Sequence, residues 1–197
     1  MARDSLDRLG DEDLLVLFAH GDPEAAGLLM GRLAPGILRY ASRVLSDRSE
    51  AEDVTQETML RLWRAAPGWR RGEAQPRTWT FRVATNLCTD RLRARRRGGM
   101  LPIDAVAEPA DPGRTALAGM IETDRMQALG AALAQLPERQ REAVVLRHIE
   151  GMTNPEIAEV LAVGVEAVES LTARGKRALQ AILAGQRPVI GYEDEGE

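Results

Sequence analysis

The sequence predicts an all-α protein of two small helical domains joined by a flexible linker. Three observations predict it. Apolar residues recur at i, i+3, i+4 spacing through most of the 197 residues. Capping and helix-starting residues punctuate these runs at Asp22-Pro23, Ser49 with Glu52, Pro137, and Thr153 with Glu156. One stretch, GGMLPIDAVAEPADPGR at 98–114, carries three Pro and three Gly without sustained periodicity and reads as a linker. The expected organisation is a first domain over 1–97, the linker at 98–114, a second domain over 115–187, and an acidic tail at 188–197, short enough and charged enough to be disordered.

Composition narrows the function classes. The formal net charge is −4, so any nucleic-acid binding must come from local basic patches. Lys176 is the only lysine. The arginine bias suits bidentate contacts to phosphate and guanine, but a GC-rich genome is the preferred explanation. Cys88 is the only cysteine, which excludes an internal disulfide and a cysteine-cluster metal site, and it reads as a small core residue. The charged N-terminus has no apolar signal region and no apolar run is long enough to span a membrane, so a cytoplasmic protein is expected.

In chain order, Asp11 is expected to cap a first helix over 12–20, with Leu14, Leu15, Leu17 and Phe18 inward and Gly21 ending it. Asp22 and Pro23 restart the chain as N-cap and first helical residue. The helix over 24–45 offers Leu28, Leu29, Leu33, Ile37, Leu38, Ala41, Val44 and Leu45 to a core, and Pro35-Gly36 is expected to break or kink it. A capping box at Ser49 and Glu52 places the next helix over 50–63. Its inner face is Ala51, Val54, Thr58 and Leu62. Its outer face, Asp53, Gln56, Glu57, Leu60 and Arg64, mixes acids and an amide with an apolar residue. Such a face either docks on a partner or is simply solvated.

The loop over 66–76 carries Trp69, Arg70 and Arg71. Two readings stay open: an aromatic and two cations that stack a base and hold phosphates, or a tryptophan folded back over its own domain. The helix over 77–97 buries Trp79, Phe81, Val83, Ala84, Leu87, Cys88 and Leu92. It presents Arg82, Asn86, Thr89, Arg93 and the run Arg95 to Arg97 as a basic side suited to phosphates.

After the linker, a helical pattern over 115–136 supplies Leu117, Met120, Ile121, Met126, Leu129, Ala132, Leu133 and Leu136. Pro137 starts another helix with Val144, Val145, Leu146 and Ile149 inside and Glu138, Arg139, Arg141 and Glu142 outside. His20 and His148 read as structural or surface residues. A second capping box, Thr153 and Glu156, opens a short helix with Ile157, Ala158, Val160 and Leu161. A turn at 162–164 leads into a longer helix from Val165 to about Ala184. Short helix, tight turn and longer helix with a basic outer face form a helix-turn-helix pattern, preferred here over a plain helical hairpin because spacing, capping and turn agree.

Three motifs together resemble the extracytoplasmic-function (ECF) group of bacterial RNA polymerase sigma factors, over roughly Asp13 to Leu183. AEDVTQETMLRLW at 51–63 is similar to region 2.2 of that family, TWTFRVATNLCTDRLR at 78–93 to regions 2.3 to 2.4, and the stretch from Leu136 to Leu179 to region 4. The resemblance implies that Asp53, Gln56, Glu57 and Leu60 dock on the clamp helices of the largest subunit of core RNA polymerase. It implies that the loop with Trp69, Arg70 and Arg71 captures a flipped base, and that Trp79, Arg82, Asn86 and Arg93 contact the minus-ten element. It assigns Glu169, Ser170, Ala173, Arg174, Lys176 and Arg177 to the minus-thirty-five element. It also implies an anti-sigma factor as partner, no enzymatic activity and no cofactor or metal. The family usually carries Gly and then Ser or Thr in the turn, where this chain has Ala162 and Gly164. Alanine at positive φ costs on the order of 1 kcal/mol, so a slightly different turn is expected. Glu169 stands where many members carry a basic residue, so promoter bases cannot be copied from relatives.

The rival readings are a stand-alone helix-turn-helix regulator, in which Asp53, Gln56 and Glu57 have no special role, and an adaptor that binds a signalling protein and not DNA. No nucleophile–base pair, metal cluster or phosphate loop is visible to support an enzyme.

Overall fold

A computed structural model describes residues 6–98 and 116–185, the side chains of 116–124 excepted. The described chain is helical throughout: α1 (Asp11–Ala19), α2 (Pro23–Leu45), α3 (Arg48–Ala65), α4 (Pro76–Arg97), α5 (Ala116–Ala134), α6 (Glu138–Val144), α7 (Asn154–Leu161) and α8 (Val165–Gly185). A short 3-10 turn, Ala66–Gly68, follows α3, and a π-helical turn, Val145–Ile149, extends α6. Apart from Gly98, the expected linker lies outside the described residues, as do the acidic tail and the side chains of Leu117, Met120 and Ile121. Among the described residues no helix is long and apolar enough to cross a membrane.

Helices α2 and α3 form an antiparallel hairpin, with α1 against α2 and α4 packed across both. Leu29, Leu33, Ile37, Tyr40, Ala41 and Val44 of α2 interlock with Val54, Met59 and Leu62 of α3 and with Phe81, Ala84 and Cys88 of α4, all buried. Each large apolar side chain so enclosed contributes roughly 1.5–3 kcal/mol. Tyr40 is the polar pin of this core. Its hydroxyl oxygen accepts from Thr85 Oγ1 at 2.8 Å, and its ring meets Phe81 edge-on at 5.7 Å.

Pro35 does not break α2, contrary to expectation. The proline removes the bond to the Gly31 carbonyl, but both residues are exposed, so water satisfies that oxygen. The buried stripe on the other side continues without a break through the proline. Two helix starts also differ from expectation. Gly10, without a side-chain bond, is the N-cap of α1, and Asp11, Glu12 and Asp13 favour that N-terminus through the helix dipole. Asp47, not Ser49, caps α3, because Ser46 turns the chain in a left-handed conformation (φ 53°) and brings Asp47 Oδ1 to the amide of Glu50 at 2.9 Å.

In the second half, α6 and α7 pack on α8. Gly175 permits the approach of α6: a Cβ there would lie 2.6 Å from Val144 Cγ2 and 3.0 Å from the Gln140 carbonyl oxygen. The Thr153–Glu156 capping box is present, with the Thr153 amide donating to Glu156 Oε2 at 2.7 Å. The hydroxyl of Thr153 holds the Glu156 carboxyl below its usual range. The turn after α7 keeps a left-handed residue even though it is alanine, Ala162 (φ 53°), so the expected deviation does not occur.

The two bundles are not separate bodies here. Helix α4 lies against α7, and α2 against the π-helical turn. One continuous core cluster includes residues of both.

Candidate nucleic-acid and protein interfaces

Three exposed faces carry the residues singled out by the sequence. The first is the outer face of α3. Ala51, Val54, Thr58 and Leu62 are buried as expected, which turns Asp53, Gln56 and Leu60 outward and leaves Glu57 half-exposed. Leu60 is 39% exposed, an apolar side chain that nothing in the fold covers. Around it the charges are loosely held. Asp53 Oδ2 lies 3.5 Å from Arg91 Nη1, and Glu57 Oε1 lies 2.7 Å from Arg61 Nε. The Arg61 hydrogen bond holds the Glu57 carboxyl below its ordinary range. Exposed pairs of this kind contribute little and can be exchanged for those of a partner.

The second face is α4 with the loop before it. Trp79, Arg82, Asn86 and Arg93 fall along one line of the helix. Arg82, Asn86 and Arg93 are exposed. Trp79 is half-buried and meets Trp69 at 5.8 Å in a T-shaped contact. The Trp69 indole Nε1 is buried with no hydrogen-bond partner among the described residues. Trp69 is thus folded back on its own domain, while Arg70 and Arg71 point outward. Arg71 Nη2 pairs with Asp13 at 2.9 Å, and the Gly72 amide donates to Glu12 Oε1 at 2.7 Å, tying the loop to α1.

The basic side of α4 is shorter than expected. Arg95 turns inward and donates to Leu45 O at 2.9 Å, Asp47 Oδ2 at 3.2 Å and Glu50 Oε1 at 3.2 Å. Arg96 pairs with Glu138 of α6 at 2.7 Å, and Thr89 donates to Glu142 at 3.3 Å.

The third face is α8. Glu169, Ser170, Ala173, Arg174, Lys176 and Arg177 are all exposed, while Val168 and Gly175 face inward. Arg174 Nε donates to the Ser170 carbonyl at 3.2 Å, laying the guanidinium along its own helix. Partial burial, then the charges of Lys176 and Arg147, lower the pKa of His148, so a cationic patch flanks this helix.

One expectation is overturned. Glu142 and Arg141 do not face water. Glu142 is buried, and Arg141 donates across to the Val44 carbonyl of α2 at 2.6 Å. Glu142 shares the i, i+3, i+4, i+7 stripe with Val145, Leu146 and Ile149, so the periodicity carried that signal although the residue's charge argued against it. Glu150, Arg39 and Arg77 form a second cross-bundle contact that no local pattern announced: Arg39 Nη2 meets Glu150 Oε2 at 3.0 Å, and Arg77 donates to the Glu150 carbonyl oxygen.

Two family descriptions match the chain: Sigma-70 region 2 over residues 29–98 and Sigma-70, region 4 over residues 126–179. The ECF RNA polymerase sigma factor SigG of Mycobacterium tuberculosis is 32% identical over 187 residues, covering 82% of this chain and 49% of SigG. The chain thus spans about half the length of that relative. The ECF RNA polymerase sigma factor SigM of the same organism is 31% identical over 173 residues, covering 88% of this chain and 84% of SigM. Among solved structures, CnrH in complex with the cytosolic domain of CnrY superposes with a TM-score of 0.67 at 27% identity, covering 89% of this chain and 97% of CnrH.

Proposed function

Because the chain belongs to the extracytoplasmic-function group of sigma-70 RNA polymerase sigma factors, we propose that it binds core RNA polymerase in the cytoplasm, recognises minus-ten and minus-thirty-five promoter elements and initiates transcription of a signal-responsive set of genes. The observation that carries the proposal is the outer face of α3. It exposes Leu60 amid Asp53, Gln56 and Glu57 on a helix whose other large apolar side chains are buried or half-buried. An uncovered leucine ringed by exchangeable charges suits a protein partner, here the clamp helices of polymerase. A stand-alone regulator has no use for it.

In this proposal the first domain, residues 1–97, reads the minus-ten element with Arg82, Asn86 and Arg93. Trp79 and Trp69, with Arg70 and Arg71, line the place where an unstacked base is held. The second domain, residues 115–187, sets α8 in the major groove. Arg174 swings from its own helix toward base edges, Lys176 and Arg177 grip phosphate, and Ser170 and Ala173 lie against the groove floor. Glu169 accepts from a cytosine amino group and repels phosphate, which makes it a selector of sequence. The segment 98–114 joins the domains. CnrH is held by the cytosolic domain of CnrY; a dedicated anti-sigma factor is proposed for this chain by analogy.

The experiment is transcription from fragmented host DNA by purified core polymerase, with the protein, without it, and with the Asp53→Arg, Gln56→Ala double variant. Discrete new transcripts are expected with the protein, reduced at least tenfold with the variant. Absence of new transcripts, together with duplex binding that needs no polymerase, would replace this proposal with the stand-alone regulator.

A further inference from the structure

Two carboxylates of the second bundle are buried in the seam between the bundles, and only one is met by a cation from the first. The Glu150 carboxylate is held by the Arg39 guanidinium at 3.0 and 3.3 Å. Glu142, 0% exposed, has no such partner. Across the seam it accepts only the Thr89 hydroxyl of α4 at 3.3 Å, and on its own helix it takes Arg139 at 3.4 Å. The Tyr40 hydroxyl of α2 and the Cys88 thiol of α4 also face it, both uncharged. The charges of Arg91 of α4 and Glu50 of α3 act on that thiol. On its own helix Glu138 adds a negative charge, already paired with Arg96 of α4. Arg141 is engaged with the carbonyls of Val44, Ala134 and Leu136. Among the described residues no ion pair joins Glu142 to the first bundle.

We propose that parting of the two bundles is coupled to loss of a proton from Glu142, so that acid holds the molecule closed and neutral to alkaline solution favours its opening. A buried carboxylate without a facing cation is costly when ionised and cheap when protonated. Parting the seam returns it to water, where the charged form is stable.

The carboxyl's titration agrees in sign. Burial is the main cause that pushes it up to about 7 in the closed form; the charge of Arg139 and the Thr89 hydrogen bond oppose the rise, and Glu138 adds to it. In water a glutamate ionises near about 4.3. Between those values the closed form keeps a proton that the open form has lost. Raising the pH through that window therefore shifts the ratio of open to closed, by up to about tenfold per pH unit, and the shift levels off once the closed form has also ionised.

The regulatory meaning of opening rests on the sigma-factor function proposed above. The test needs neither polymerase nor promoter, so the two can fail separately. Small-angle X-ray scattering of the full chain is recorded from pH 5 to 8.5 at fixed ionic strength, with Glu142→Gln and Glu150→Gln alongside. The expected result is an extended fraction that grows with pH in the natural chain. Glu142→Gln should remain compact throughout. Glu150→Gln should be more open at every pH with the natural slope retained. A pH response that survives in Glu142→Gln, or is absent from the natural chain, overturns the proposal. Should Glu142→Gln fail to fold by circular dichroism, carbon-13 NMR of the glutamate carboxyls of the natural chain decides. A Glu142 midpoint near neutrality supports the coupling, and one near the ordinary value sinks it.

Discussion

Glu150 and Glu142 lie on one short stretch of chain, both buried, both turned toward the same neighbouring bundle, and they are treated in opposite ways. Glu150 receives the fork of Arg39, whose own side chain remains half in water, and its carbonyl receives Arg77. Glu142 receives the Thr89 hydroxyl of α4 and, from its own helix, the Arg139 guanidinium. A matched carboxylate fixes the position of one element on another. An unmatched one makes the same contact conditional on a proton. Burial alone therefore does not say what a seam carboxylate does; the charge of the facing residue does.

The strongest way to break this contrast is Arg39→Met, which turns the Glu150 corner into a copy of the Glu142 corner. With Glu150 1% exposed and its partner about half exposed, the expected loss is about 2–3 kcal/mol of unfolding free energy, measured by urea titration. A loss below about 0.5 kcal/mol would mean that the pairing at Glu150 is of no consequence. Gly175→Ala tests the other side of α6. The added Cβ meets Val144 and the Gln140 backbone, and overpacking there should cost about 2 kcal/mol and displace the helix that carries Glu142. Thermal denaturation measures the cost. The pH response of the scattering should weaken while the Arg39–Glu150 corner persists. The smallest effect serves as a control away from the seam: Ala162→Gly relieves a left-handed alanine and should raise stability by about 0.4–1 kcal/mol without altering the pH response.

Much of the fold was legible because the signals were local. The Asp22-Pro23 start, the Thr153–Glu156 box, the buried stripe of α2 and the inner and outer faces of α3 follow from neighbours within one or two turns. Capping was less legible where candidates competed. Ser49 with Glu52 had the right spacing, yet Asp47 took the position once Ser46 adopted positive φ. The exposed lines on α4 and α8 could be read from periodicity, but the fate of individual arginines could not. Arg93 and Arg97 stay exposed while Arg95, between them, is drawn inward by the Leu45 carbonyl and two carboxylates from distant positions. The seam was read least well. Its partners are separated by 42 to 111 positions, and charge on Glu142 outweighed a stripe that placed it inside.

Arg95 has a mechanical consequence. Its guanidinium spans the corner where α2 ends and α3 begins, and Asp53, one turn further along α3, lies 3.5 Å from Arg91, one turn earlier on α4. The two helices are thus tied together at the Arg95 corner. A pull on α3 is therefore passed to α4 at this corner, so the outer face of α3 and the exposed line of α4 are carried as one piece.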